Sequence, residues 1–255
     1  MVDADVVVVG AGAAGLFAAL AARGALTEDG RVVEPPADAP RVVLLDGQRT
    51  PGRKILISGG GRCNVTNARV TQHDFTTSTP RLVRNALRAF GVDRTRAVFE
   101  ALGIRLREEP LGKLFPTTDR ARDVLDALLG ACERAGVETR FGTPVARIAP
   151  RDDGGWQVDD LGAGRVVVAT GGRSVPKTGS TGFGLDLAAT LGHDLVPPVP
   201  ALAPLLGDTA GDLAGLTVPA IVRVVGHADG REHRRAAGSL LVTHRGVTGP
   251  AALDV

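Results

Sequence analysis

Near the amino terminus, Gly10-Ala11-Gly12-Ala13-Ala14-Gly15 has the glycine spacing that lets backbone turn against a diphosphate. The hexad stands in the context that gives this pattern weight. Asp5-Val6-Val7-Val8-Val9 precedes it as a β-branched run, read as a buried parallel strand, and Leu16 to Arg23 follows as an Ala/Leu-rich helix stopped at Gly24. In such a unit Gly10 permits the tight turn, Gly12 admits the pyrophosphate, and Gly15 lets helix and strand pack closely. The helix start adds free N–H groups and a positive dipole end. The plain alternative is a strand–turn–helix that binds nothing.

A dinucleotide site also needs an acid at the end of the second strand to accept from a ribose. Glu34 stands at about the usual ~20-residue spacing, but only Val32 and Val33 precede it and Pro35-Pro36 cuts the strand off. Asp46 ends the longer run Val42-Val43-Leu44-Leu45. A strand buried on both faces needs that length, so Asp46 is the expected ribose ligand and 27–40 an inserted surface loop.

The most informative block is Gly52-Arg53-Lys54-Ile55-Leu56-Ile57-Ser58-Gly59-Gly60-Gly61-Arg62-Cys63-Asn64-Val65-Thr66-Asn67. Three successive glycines are costly to order and suit backbone that approaches a ligand or another segment. Ala169-Thr170-Gly171-Gly172 then ends a buried strand, and Pro176-Lys177-Thr178-Gly179-Ser180-Thr181-Gly182 follows as a second glycine- and hydroxyl-rich loop. Of 30 basic residues only Lys54, Lys113 and Lys177 are lysines, each in a Gly- or Pro-rich turn, where a compact ammonium rather than a planar fork is required. Chance survival is the alternative.

Around these loops, 47–67 reads as helix-free and 80–135 as helical. In the last helix Asp119 is the expected N-cap, and Val124, Leu125, Leu128, Leu129 and Cys132 form one apolar stripe. Strands are expected at 137–141, 145–149, 156–158 and 166–169, and a short helix at 184–191. At Val196 the character changes to a Pro-rich stretch and β-like segments at 218–225 and 238–243, which divides the chain into 1–194 and 195–255. A net charge of +2 and the lack of any long Lys/Arg run argue against a nucleic-acid partner. No stretch approaches the ~20 apolar residues of a membrane span. Two cysteines make no disulfide framework, no His/Asp/Glu spacing suggests a metal, and the expected compartment is the cytoplasm.

The ordered series GxGxxG, GRKILISGGGRCNVTN, ATGGRSVPKTGSTG, LGH, PALAPL and THRGVTGPAALD resembles a family of bacterial NAD(P)/FAD-dependent oxidoreductase flavoproteins that includes aminoacetone oxidase and a 3-dehydro-bile-acid reductase. The resemblance covers nearly the whole chain. It implies an α/β fold, a glutathione-reductase-type FAD-binding Rossmann-like domain with the start of a β-rich insert. It further implies that Gly10, Gly12, Ala13, Ala14 and Gly15 hold the FAD pyrophosphate, and that Asp46 with Gly47 takes the adenosine ribose. Arg53, Lys54, Gly61, Arg62, Cys63, Asn64 and Val65 would lie on the flavin side. Val145 would meet the adenine from a strand, and Ala169, Thr170 and Gly171 would close over the dinucleotide.

Two departures accompany the resemblance. Where the family's loop reads STGDG, Ser180-Thr181-Gly182-Phe183-Gly184 lacks the carboxylate. The family also returns to its FAD domain after the insert, which implies that the chain is truncated at Val255. The expected function is hydride transfer between a small organic substrate and FAD, with oxygen or NAD(P)H closing the cycle. Amine oxidation and enone reduction stay open, as does a non-catalytic fragment with impaired FAD binding. An NAD-only dehydrogenase fits the GGGRCN and ATGG blocks less well. Cys63 reads as a packed side chain rather than a redox thiol, and His193 and His244 as hydrogen-bonded packing.

Overall fold

The computed structural model of the chain describes residues 2–75, 77–207 and 211–255. Two compact units result, Met1–Leu195 and Val196–Val255.

The first unit is built on β1 (Ala4–Val9), whose β-branched residues are buried on both faces of a sheet. The chain turns into α1 (Ala13–Ala22) and returns, after the 27–40 loop, as β2 (Val42–Asp46). Next come α2 (Arg53–Ile57), β3 (Thr66–Asn67), α3 (Pro80–Ala89), α4 (Val92–Ala101), β4 (Leu106–Glu109), β5 (Lys113–Pro116) and α5 (Ala121–Arg134). The sheet is completed by β6 (Glu138–Phe141), β7 (Ile148–Pro150), β8 (Trp156–Val158) and β9 (Leu161–Val168), and α6 (Phe183–Thr190) follows. Its strand order is β6-β2-β1-β9-β8-β7. The β6, β2, β1 and β9 strands run parallel, and β7 and β8 pair antiparallel at one side.

Alternation along β1 divides the core in two. Val6 and Val8 pack with Leu16 and Leu20 of α1 and with Leu125, Leu128 and Cys132 of α5. Val7 and Val9 face the other way, onto Val43, Leu45, Ile148, Val158 and Ala163. Helices α1 and α5 thus cover one face of a largely parallel sheet, and Phe183 and Leu187 of α6 pack on the other, which is an α/β arrangement.

Four local readings are corrected by the structure. The 80–135 segment is not helical throughout, because β4 and β5 pair antiparallel there and β5 pairs with β3. Leu111, Leu114 and Phe115 have helix-like spacing, yet Pro110 and a left-handed Leu111 (φ 68°) turn the chain into a hairpin. The 47–67 stretch is not helix-free, since Arg53–Ile57 holds a helical turn between Gly52 and the glycines at 59–61. Val145 lies outside any strand, and β7 begins only at Ile148. Asp119 does not cap α5, whose N-cap is Arg120 without a side-chain bond; Asp119 sits at φ 55° and accepts from Arg107.

The second unit is an antiparallel sheet in the order β10-β13-β12-β11. Its strands are β10 (Leu205–Leu206), β11 (Thr217–Val225), β12 (Glu232–Thr243) and β13 (Gly246–Thr248), followed by α7 (Pro250–Leu253).

Candidate functional site

The parallel strands end together, and a cavity of about 560 Å³ opens over their carboxyl ends. That volume is within the ordinary range for a small-molecule or cofactor pocket. Three glycines shape its floor, each for a different reason. A Cβ on Gly10 (φ 104°) would stand 2.5 Å from the Ala169 carbonyl oxygen, so glycine is what lets β1 and β9 finish side by side. A Cβ on Gly15 would stand 1.7 Å from the Gly10 oxygen, which fixes α1 hard against the turn. A Cβ on Gly12 would meet nothing within 4 Å, because Gly12 faces the cavity.

Gly12 is the N-cap of α1 and offers no side-chain cap, and the first turn carries no acid. The amides of that turn have no partner within the helix, and Gly12, Ala13 and Ala14 line the cavity. Unpaired N–H groups, a positive dipole end and an open glycine make a cradle for a diphosphate.

Asp46, at the end of β2, lines the same cavity. One carboxylate oxygen accepts from the Ala11 amide at 2.6 Å and the other from the Gln48 amide at 2.7 Å. The acid therefore ties the glycine turn to the loop after β2, and each oxygen keeps acceptor capacity for a ribose hydroxyl. Glu34 is exposed and outside any strand. Gly47 also lines the cavity, packed on Pro144, and Val145 lines it from the loop before β7.

The Gly52–Asn67 block forms the opposite wall but does not contribute evenly. Arg53 and Lys54 line the cavity at the start of α2. The Arg53 guanidinium donates to Gln48 Oε1 at 2.7 Å and the Lys54 ammonium to Ser174 Oγ at 2.9 Å. Cys63, Asn64 and Val65 also line it. Cys63 is buried at φ 63°, and burial pushes its thiol up, so it is protonated near neutral pH and unsuited to act as a thiolate. The Asn64 amide, with its nitrogen inward, donates to the Thr66 carbonyl at 2.8 Å.

Gly61 and Arg62 are not among the lining residues. Arg62 lies over the Phe115 ring at 4.1 Å and pairs with Glu109 at 2.7 Å and Asp119 at 3.4 Å. Arg107 pairs with the same two acids. These hydrogen bonds hold Glu109 and Asp119 below the usual carboxylate range and raise both guanidiniums. Arg62 therefore braces the β3–β5 sheet from outside the cavity. Of the three glycines, only Gly59 is crowded, with its would-be Cβ 2.7 Å from the Asn64 amide nitrogen.

The last wall is the end of β9 and the loop beyond it. Ala169 donates its amide to Val9 O at 2.8 Å, and Thr170 Oγ1 accepts from the Gly184 amide at 3.1 Å. Gly171 (φ 74°) lines the cavity beside Thr178, Gly179, Ser180, Thr181 and Phe183. Ser180 is only 5% exposed. Motif reading marked this loop as ligand-lining but singled out none of its residues. It also missed Gln48, Thr143 and Pro144, whose sequence carries no signal beyond following a strand. Phe183, where a carboxylate was expected, packs on the second core cluster.

The family model described as the HI0933-like protein Rossmann domain matches residues 4–249. The chain is 35% identical over 260 residues to a ribosomal RNA dihydrouridine synthase of Escherichia coli (strain K12), covering 98% of this chain and 60% of that protein. It is 34% identical over 205 residues to a 3-dehydro-bile acid delta(4,6)-reductase of Clostridium scindens (strain ATCC 35704 / DSM 5676 / VPI 13733 / 19), covering 78% and 46%. Among solved structures, the open conformation of a flavocytochrome c3 fumarate reductase matches with a TM-score of 0.48 and 22% identity, over 88% of this chain and 43% of that one. The chain thus spans 60% of the length of the E. coli relative. Among the described residues no helix is long and apolar enough to cross a membrane.

Proposed function

Because the chain belongs to the HI0933-like family and carries its FAD-binding Rossmann domain, we propose that the cavity holds FAD for reducing a carbon–carbon double bond conjugated to a carbonyl, in the uracil of an RNA. The names of the two relatives support the reaction class, since a dihydrouridine synthase and a delta(4,6)-reductase both add hydrogen across such bonds. The match to the synthase along 98% of the chain favours uracil over a steroid.

One observation carries the redox reading. Among the described residues the one carboxylate lining the cavity is Asp46, already engaged by two backbone amides, and no histidine lines it. Such a wall suits binding and orienting a group that itself carries the redox chemistry. FAD would supply the hydride, drawn from NAD(P)H, and a proton would complete the addition. The chain's own part is binding and orientation. Gly12, Ala13 and Ala14 would present amides to the diphosphate, and Asp46 would accept from the ribose. Lys54, held by Ser174, would keep a positive charge at the wall, while Ile55, Val65, Phe99, Val124 and Leu128 exclude water. The first unit would be the cofactor domain and the second the start of a β-rich insert.

The test separates cofactor from reaction. The purified chain, incubated with FAD and then freed of unbound cofactor by gel filtration, should retain flavin absorbance near ~450 nm. Gly12→Ala should leave the fold intact, since its methyl meets nothing within 4 Å, yet weaken FAD binding at least tenfold, about 1.4 kcal/mol. Equal binding by the variant would remove the cradle from the argument. The loaded chain, reduced anaerobically, is then offered a uridine-containing rRNA fragment and a 3-keto-4,6-diene steroid. A gain of two hydrogens by the steroid alone would overturn the uracil assignment.

A further inference from the structure

We propose that α3 is a docking surface for the phosphate backbone of RNA, contacted by Arg81, Arg84 and Arg88. This rests on the reading of RNA as substrate and adds the place where it is held. The three arginines are spaced i, i+3 and i+7, so they fall within one stripe of the helix about 10 Å long. All three are exposed, and among the described residues none takes part in an ion pair or hydrogen bond. A search for a linear basic run misses them because three other residues separate the later pair.

The arrangement works against the helix itself. Arg81 places a positive charge in the first turn, where the dipole disfavours it, and Arg84 and Arg88 repel across one turn. No carboxylate lies on α3 to relieve either. Asp74, on the turn before α3, is engaged by the Thr71 amide and hydroxyl. Some other arginines on regular elements are paired with a neighbouring acid: Arg120 with Asp123, Arg122 with Asp126, Arg140 with Glu138. An uncompensated stripe of planar guanidiniums fits a polyanion presenting phosphates, which they bind bidentately.

A lipid surface would also offer phosphates, but α3 has little apolar face left for one. Val83 and Leu87 are half-buried against the protein, which leaves Leu82, 69% exposed, as the large apolar residue free on the helix. Phe90, at the end of α3, meets Phe17 of α1 edge-on at 6.1 Å, so the helix is anchored to the cofactor domain.

The experiment uses the 255-residue chain loaded with FAD, a fluorescein-labelled rRNA stem-loop, and phosphatidylcholine vesicles with and without phosphatidylserine. Wild type should bind the RNA. R81Q/R84Q/R88Q should bind roughly 10- to 100-fold more weakly near ~0.1 M salt, and its salt dependence should be shallower by about three phosphate contacts. R81K/R84K/R88K should retain most of the binding, which distinguishes lost charge from a damaged helix, and flavin absorbance and circular dichroism should be unchanged in both. If wild type binds RNA and the Gln variant binds equally, the docking surface is wrong while the RNA reading stands. If wild type binds no RNA, both fail. Capture by the phosphatidylserine vesicles rather than by RNA overturns the proposal in favour of a membrane.

Discussion

Helices α3 and α5 lie in the same compact unit, are both rich in arginine, and are put to opposite uses. Ala121, Val124, Leu125, Leu128, Ala131 and Cys132 of α5 are buried, Val124 and Leu128 reach the cavity wall, and arginines at its start are matched by aspartates one turn on. On α3 nothing is fully buried, and none of the arginines is matched. Tertiary packing and local ion pairs thus agree on α5. On α3 they are absent together, and the helix is kept by Pro80 in its first turn and Phe90 at its end. The difference shows that arginine abundance by itself says little here; whether each charge has been neutralised within the fold is what separates scaffold from surface.

The contrast breaks first at a leucine. Leu125 is fully buried and fills the space beside Gly52, so Leu125→Ala should cost about 2–5 kcal/mol in urea unfolding, whereas Leu82→Ala on α3 should stay within about 0.5 kcal/mol. Comparable losses would mean that α3 is as integral as α5.

A second contrast is set by pH. Burial pushes the Cys132 thiol from its ordinary 9.0 up to about 12. The unfolded chain therefore loses its proton first, and stability should fall as pH rises from about 9 towards 12, by at most about 4 kcal/mol. With no tyrosine and three lysines in the chain, few other groups titrate there. Cys132→Ala should flatten the decline measured by denaturant midpoint against pH; an unchanged slope would assign it to other groups.

The smallest effect has the most telling sign. Arg81→Glu puts a carboxylate at the N-terminus of α3 and should raise stability by about 0.3–1 kcal/mol, even as RNA binding falls. Asp126→Ala on α5 should lower it by about 0.3–0.5 kcal/mol through loss of the pair with Arg122. Thermal midpoints of the two variants moving in the same direction would erase the distinction.

Much of the architecture could be read along the chain because strong local signals agreed. The valines of β1, the glycine hexad and the apolar run ending at Asp46 each point to a parallel strand meeting a helix start. Reading failed where elements were too short to show a period. The four-residue strands β4 and β5 were absorbed into a helical stretch, and the single turn of α2 was lost among glycines. Along the cavity wall most motif residues recur, but Gln48, Thr143 and Pro144, supplied by tertiary proximity, carry no motif of their own. Arg62 shows the converse: motif membership does not aim a side chain, and its partners Glu109 and Asp119 come from a sheet that periodicity had hidden. Net charge averages over the molecule and a linear run ignores the helical turn, so neither brings out the stripe of Arg81, Arg84 and Arg88 on α3.

The pairing of β1 with β9 has a consequence in time. Ala4 lies beside Ala163, and Val6 to Val9 beside Arg165 to Val168, so the central contact of the sheet joins segments about 160 residues apart. At ribosomal rates of about 5–20 residues per second, β1 waits roughly ten to thirty seconds for that neighbour to be synthesised. Its other neighbour, β2, arrives within a few seconds and can cover one edge. Until β9 emerges, the four valines present an open strand edge beside the nascent chain's exit, the kind of surface that chaperones hold. The floor of the cavity, where Gly10 rests against Ala169, is therefore among the last parts of this unit to close, although half of it is made first.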